Sequence, residues 1–186
     1  MEYDSAAHRP IFIMGYMACG KTTFGRALAR AVGREFIDLD FRIEQRYRKT
    51  ISQIFAERGE AGFRELETRM LREVADMEDV IVACGGGTPC FNDNMDTMLR
   101  SGETVWLEAS PGRIVERLMV NRSRRPLMAD KTPQELLDAV IAGLETRHAR
   151  YSRASIRFDG DFLEDRSQID ASVSRFLSLH PEFLHT

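Results

Sequence analysis

Short apolar runs recur along the chain, each closed by polar or glycine residues and followed by apolar positions spaced three and four apart. Ile11-Phe12-Ile13-Met14 ends at Gly15, and Phe24, Leu28 and Ala31 then fall on one helical face, which predicts strand, loop and helix. Glu35-Phe36-Ile37-Asp38, Val80-Ile81-Val82-Ala83, Thr104-Val105-Trp106-Leu107 and a weaker Ile156-Arg157-Phe158 predict four further strands. Strands that alternate with helical stretches point to an α/β fold built on a parallel sheet. Ser110-Pro111 and Thr132-Pro133 mark helix starts, a capping hydroxyl before a proline at the first helical position. The stretch from Ser167 to Leu179 reads as a terminal helix with Ile169, Val173, Phe176 and Leu177 inward.

Two segments break the alternation. From Phe41 to about Met77 a helical pattern without any strand, interrupted at Arg58-Gly59-Glu60, predicts a helical insertion for a substrate. Between the helices Pro111–Val120 and Pro133–Arg150, residues 121–131 are polar, arginine-dense and aperiodic, the character of a lid. Residues 1–9 and 180–186 are expected to be tails, the first of them flexible.

Length and composition narrow the class. A chain of 186 residues predicts one domain, and with 43% hydrophobic residues it can bury a substantial core. No apolar run approaches the roughly 20 residues of a membrane span, and the N-terminus lacks a secretory core, so a soluble, cytoplasmic protein is expected. Three cysteines, an odd number, suggest reduced thiols. A net charge of −3 argues against a nucleic-acid binder, although all basic residues except Lys21, Lys49 and Lys131 are arginine. The four histidines form no ligand cluster, so no structural metal is expected.

The chemistry is concentrated after the strands. Gly15-Tyr16-Met17-Ala18-Cys19-Gly20-Lys21-Thr22 fills the phosphate-loop pattern of glycine, four residues, then Gly-Lys-Thr, with Thr23 next. In such a loop backbone N–H groups wrap a phosphate, the lysine reaches the β/γ oxygens and the hydroxyl can ligate Mg²⁺, so the ligand expected is a nucleoside triphosphate. The alternative is a plain glycine turn beside a surface lysine. Asp38 and Asp40 end the second strand and would share a side in extended chain, one able to hold a magnesium-bound water and the other a hydroxyl proton; both also suit a helix cap. Gly85, Gly86 and Gly87 follow the third strand, where glycine permits positive φ and close backbone approach to an oxygen, or simply a tight turn. Arg64 and Glu67 stand at i, i+3, a spacing for an oriented guanidinium or a surface ion pair. Arg125 could act on a transferring phosphoryl group, and Arg147 could contact an anion or a helix C-terminus.

Taken in order and spacing from about Pro10 to Leu179, these pieces resemble the shikimate kinase family. The matching residues are the phosphate loop beginning Gly-x-Met, Phe36-Ile37-Asp38-Leu39-Asp40 with Ile43-Glu44, Ile51-Ser52-Gln53-Ile54-Phe55, Gly59-Glu60, Phe63-Arg64-x-x-Glu67, the glycine triplet, Arg125-Pro126-Leu127, and Arg147 with Tyr151. The resemblance implies a P-loop kinase of nucleoside monophosphate kinase-like fold, a five-stranded parallel sheet flanked by helices with a substrate-binding insertion and a lid. It implies that Gly15, Ala18, Cys19, Gly20, Lys21, Thr22, Thr23 and Arg125 meet ATP, and that Thr22 and, through water, Asp38 hold Mg²⁺. Asp40, Arg64, Gly85, Gly86, Gly87 and Arg147 would bind shikimate, with Lys21, Asp40 and Arg125 acting in transfer to its 3-hydroxyl, and a monomer is the family default. Ala18 stands where glycine is common, and Cys19, where alanine or serine is common, raises the question of a thiol that modifiers could reach. Another small-molecule kinase of the fold, for gluconate or a nucleotide, is the nearest alternative, disfavoured by the glycine triplet and Arg64. A non-catalytic nucleotide-binding regulator is disfavoured by the retained Lys21, Thr22, Asp38 and Asp40.

Overall fold

In a computed structural model, which describes residues 8–120 and 132–184, the chain folds around one parallel sheet of five strands in the order β2-β3-β1-β4-β5. The strands are β1 (Ile11–Met14), β2 (Glu35–Asp38), β3 (Val80–Ala83), β4 (Glu103–Glu108) and β5 (Ile156–Asp159). Strand order explains their composition. The interior strands β1 and β3 are covered on both faces and carry the unbroken apolar runs Ile-Phe-Ile-Met and Val-Ile-Val-Ala, buried at every position. The edge strands β2 and β5 bury only one residue each and alternate with polar ones.

Seven helices among the described residues flank the sheet: α1 (Lys21–Val32), α2 (Leu39–Tyr47), α3 (Ile51–Ala75), α4 (Asn94–Ser101), α5 (Pro111–Val120), α6 (Pro133–Tyr151) and α7 (Arg166–Leu179). Thr50 and Thr132 open α3 and α6 with reciprocal capping boxes to Gln53 and Glu135. The interruption expected at Arg58-Gly59-Glu60 is a kink within α3, where Gly59 sits at φ 68°. Phe24 of α1 packs on Phe158 of β5 and Phe176 of α7 at ring distances of 5.3 and 5.5 Å, joining both ends of the chain in one core.

Both expected tails are shorter than the sequence suggests. His8 pairs with Asp79 at 2.9 Å, and Arg9 donates to the carbonyls of Arg100 and Ser101, so the described chain is tied down before Pro10. At the other end Pro181–Leu184 forms a 3-10 turn whose Phe183 is buried against Phe176, a hydrophobic contact that polar neighbours conceal in sequence. The proposed lid at 121–131, Arg125 included, lies outside the described residues.

In open parallel sheets ligands bind beyond the carboxyl ends of the strands, where strand order reverses. Here that point is β1, flanked by β3 on one side and β4 on the other. The phosphate loop, Asp38, the glycine triplet and Gly160 all leave from this edge.

Candidate active site

The phosphate loop is shaped by crowding. Gly15, at φ 148°, leaves no room for a side chain, since a Cβ would stand 2.3 Å from the Leu107 carbonyl oxygen and 2.9 Å from Cys19 Sγ. Gly20, at φ 107°, enters α1 in a conformation that L side chains avoid. No side chain caps α1, which leaves its first N–H groups as donors for an anion. Lys21 folds back so that its ammonium donates to the carbonyls of Gly15 and Tyr16, both at 2.9 Å. Cys19 is fully buried, with its Sγ 3.9 Å from the Lys21 ammonium, so the thiol is closed off from solvent.

Ala18 takes the left-handed conformation, φ 62°, that explains why glycine is common there. Its carbonyl and that of Cys19 are bonded by Arg117 Nη1 at 3.4 and 3.0 Å, while Nη2 donates to Gly160, Asp161 and Glu164. A guanidinium from the last turn of α5 thus fastens the phosphate loop to the segment after β5. Sequence reading missed Arg117, because its partners are mostly backbone carbonyls and leave no motif.

Asp38 takes the helix-cap role expected of it and makes a second bond besides. One oxygen caps α2 by accepting the Phe41 N–H at 3.2 Å, and the other accepts the Thr22 hydroxyl at 2.9 Å. The chain therefore turns helical after Asp38, and Asp40 lies in the first turn of α2 instead of two residues along an extended strand. The cap, not strand alternation, brings the carboxylates into one site. A hydroxyl beside a carboxylate is a hard oxygen pair that suits a Mg²⁺ arriving with a nucleotide, which keeps most of its ligands as water and phosphate. Among the described residues no larger cluster of His, Cys, Asp and Glu could hold a metal.

Around Asp40 the acceptor-side residues converge. A Cβ on Gly85 would lie 3.1 Å from each of Asp40 Oδ1, Glu67 Oε1 and Thr88 Oγ1, and one on Gly87 would lie 2.6 Å from the Arg64 guanidinium. None of the three glycines has positive φ, so close approach is what the triplet supplies, and the left-handed reading is corrected. Glu67 is fully buried; it accepts from Thr88 at 2.5 Å and from Arg64 at 2.8 Å, so the i, i+3 pair is an interior one. Arg64 has its guanidinium carbon 4.0 Å from the centre of the Phe91 ring, a cation–π contact that holds it in place. Arg147 stacks on the Tyr16 ring at 5.2 Å and donates to its own helix at Gly143. Burial raises the Cys90 thiol, in the turn after the triplet, against the opposing pull of Arg147, Arg150 and Arg64.

Burial, together with the charges of Glu67 and Asp38, raises the Asp40 carboxyl from 3.8 to about 6, against the opposing pull of Lys21 and Arg64. It is ionised at neutral pH yet more basic than an exposed aspartate. Asp38, Asp40, Glu67, Lys21 and Arg64 thus gather where the phosphate loop meets the glycine triplet.

A family model described as shikimate kinase matches residues 17–178. The shikimate kinase of Phocaeicola vulgatus is 53% identical over 163 residues, covering 88% of this chain and 93% of that one. The chain belongs to the shikimate kinase family. Among solved structures, the shikimate kinase of Bacteroides thetaiotaomicron superposes with a TM-score of 0.89 at 48% identity, covering 93% of this chain and 98% of that one. A shikimate kinase from Acinetobacter baumannii, in complex with shikimate, gives 0.81 at 28% identity with 97% of each chain covered. The enzyme is therefore a kinase of the shikimate pathway of aromatic amino acid biosynthesis.

Proposed function

We propose that the enzyme transfers the γ-phosphoryl group of ATP to the 3-hydroxyl of shikimate, giving shikimate 3-phosphate and ADP, with its donor and acceptor sites on the two flanks of β1. The observation that carries this reading is the gathering of Asp40, Glu67, Thr88 and Arg64 around Gly85–Gly87, beside the phosphate loop. Shikimate is a carboxylate with three hydroxyls. Arg64, held over Phe91, and Arg147 clamp the carboxylate, and the Gly85–Gly87 backbone bonds the ring hydroxyls. Asp40 orients the attacking hydroxyl and accepts its proton as the oxygen joins the γ-phosphorus and the bond to the ADP oxygen breaks.

On the donor side Gly15, Ala18, Cys19, Gly20 and Thr23 present the loop and helix N–H groups to the phosphates. Lys21 leaves the carbonyls of Gly15 and Tyr16 for the β/γ oxygens. Mg²⁺ would be held by Thr22 and, through water, by Asp38, and would neutralise charge on those oxygens. Arg125 contacts ATP and stabilises the group in transfer. The enzyme acts as a cytoplasmic monomer, with residues 41–77 as its acceptor-binding part and 121–131 as its lid.

An ADP-release assay with MgATP and shikimate, gluconate or nucleoside monophosphates tests the reading. Turnover with shikimate alone is expected; turnover with another acceptor and none with shikimate would overturn it.

A further inference from the structure

The glycine triplet has a second tether, on the side away from Arg64. Tyr151, the last residue of α6, is fully buried, and its hydroxyl donates to the Gly86 carbonyl at 2.5 Å. Burial pushes the phenol well above its usual range, so it remains a neutral donor. In a trans peptide the carbonyl and the following N–H point opposite ways. Anchoring the Gly86 oxygen on Tyr151 therefore turns the Gly87 N–H away from the phenol, and Gly87 is the glycine packed on the Arg64 guanidinium. Arg147 precedes Tyr151 by one helical turn and shares its face of α6. The same phenol thus joins the helix that carries Arg147 to the loop that touches Arg64.

We infer that Tyr151 is a positioning residue for the acceptor: its hydroxyl fixes the Gly86–Gly87 peptide and the spacing between that loop and Arg147. The inference rests on the acceptor site proposed above. Its competitor is a core aromatic whose hydroxyl merely found a carbonyl, a role that would affect folding without distinguishing between substrates.

The test is Tyr151→Phe in the full chain, which keeps the buried ring and removes one oxygen. Steady-state kinetics with each substrate varied should show KM for shikimate raised about five- to tenfold and KM for ATP changed less than about twofold. Binding is read independently by titrating the fluorescence of Trp106, the one tryptophan, whose ring lies 5.8 Å from that of Tyr151. Shikimate affinity should fall by the same factor, a measurement that does not depend on turnover. Unchanged shikimate parameters, equal increases for both substrates, or a lowered melting temperature as the sole effect would overturn the inference. Failure of the acceptor reading itself is distinguishable, because the unsubstituted enzyme would then show no shikimate turnover.

Discussion

Replacing Asp40 by asparagine should abolish most activity and make the protein more stable. Burial first, and then the charges of Glu67 and Asp38, push the carboxyl up to about 6 against 3.8 in an open chain, so at pH 7 the folded state carries a cost of about 3 kcal/mol for keeping it ionised. The sign follows from proton binding. Folded protein holds the proton more tightly, so this group's contribution to stability is intact below pH 3.8 and is lost as pH rises through 6. A neutral amide of the same shape removes the cost. Thermal unfolding in EDTA without nucleotide should show Asp40→Asn ahead by about 2–3 kcal/mol at pH 7, roughly 5–10 °C for a chain of this size. At pH 4 the advantage should shrink to under about 1 kcal/mol, because the native carboxyl is then already protonated. Turnover should fall by about 10²–10⁴. Equal melting temperatures at pH 7, or a gain that persists unchanged in acid, would refute the electrostatic account; retained turnover would refute the catalytic one.

Arg64→Lys should raise KM for shikimate about tenfold or more with KM for ATP little changed, since an ammonium loses the planar fork stacked on Phe91; kinetics with each substrate varied decide it. Arg64→Ala should in addition lower stability by about 3 kcal/mol in thermal unfolding, because it strands the buried Glu67 charge. Ala18→Gly should relieve the left-handed strain and leave stability unchanged or higher by up to about 1 kcal/mol, the gain being reduced by the freer unfolded chain. A clear loss of stability would mean that the methyl group supports the loop through packing.

The strands were legible in sequence because each is a short apolar run bounded by a glycine or polar exit, and the phosphate loop because its spacing is tied to its ligand. Position within the sheet was not legible, since strand order depends on which helices cover which face. The pairing of Asp38 with Asp40 was expected from extended geometry and arises from a helix cap instead, a competition that two aspartates at i and i+2 leave open. The glycine triplet was visible, but its reason was not, because most of the groups that fill the space above Gly85 and Gly87, Asp40, Glu67 and Arg64, come from α2 and α3. Arg117 and the phenol of Tyr151 act on backbone carbonyls, which every residue possesses, and so no residue pattern marks their partners. Tyr151 left one trace, its four-residue spacing from Arg147.

The position of β1 in the middle of the sheet divides the molecule by inheritance as well as by space. Almost everything that reads the acceptor lies in one continuous stretch, from Asp40 through Gly87, on the β2 and β3 flank, whereas the clasp of Arg117 on the phosphate loop belongs to the β4 and β5 flank. Tyr151 crosses from one half to the other through its bond to Gly86. A lineage could therefore exchange one contiguous segment for another and acquire a new alcohol to phosphorylate, while the triphosphate machinery passed on untouched, provided the crossing helix kept its grip on the incoming loop.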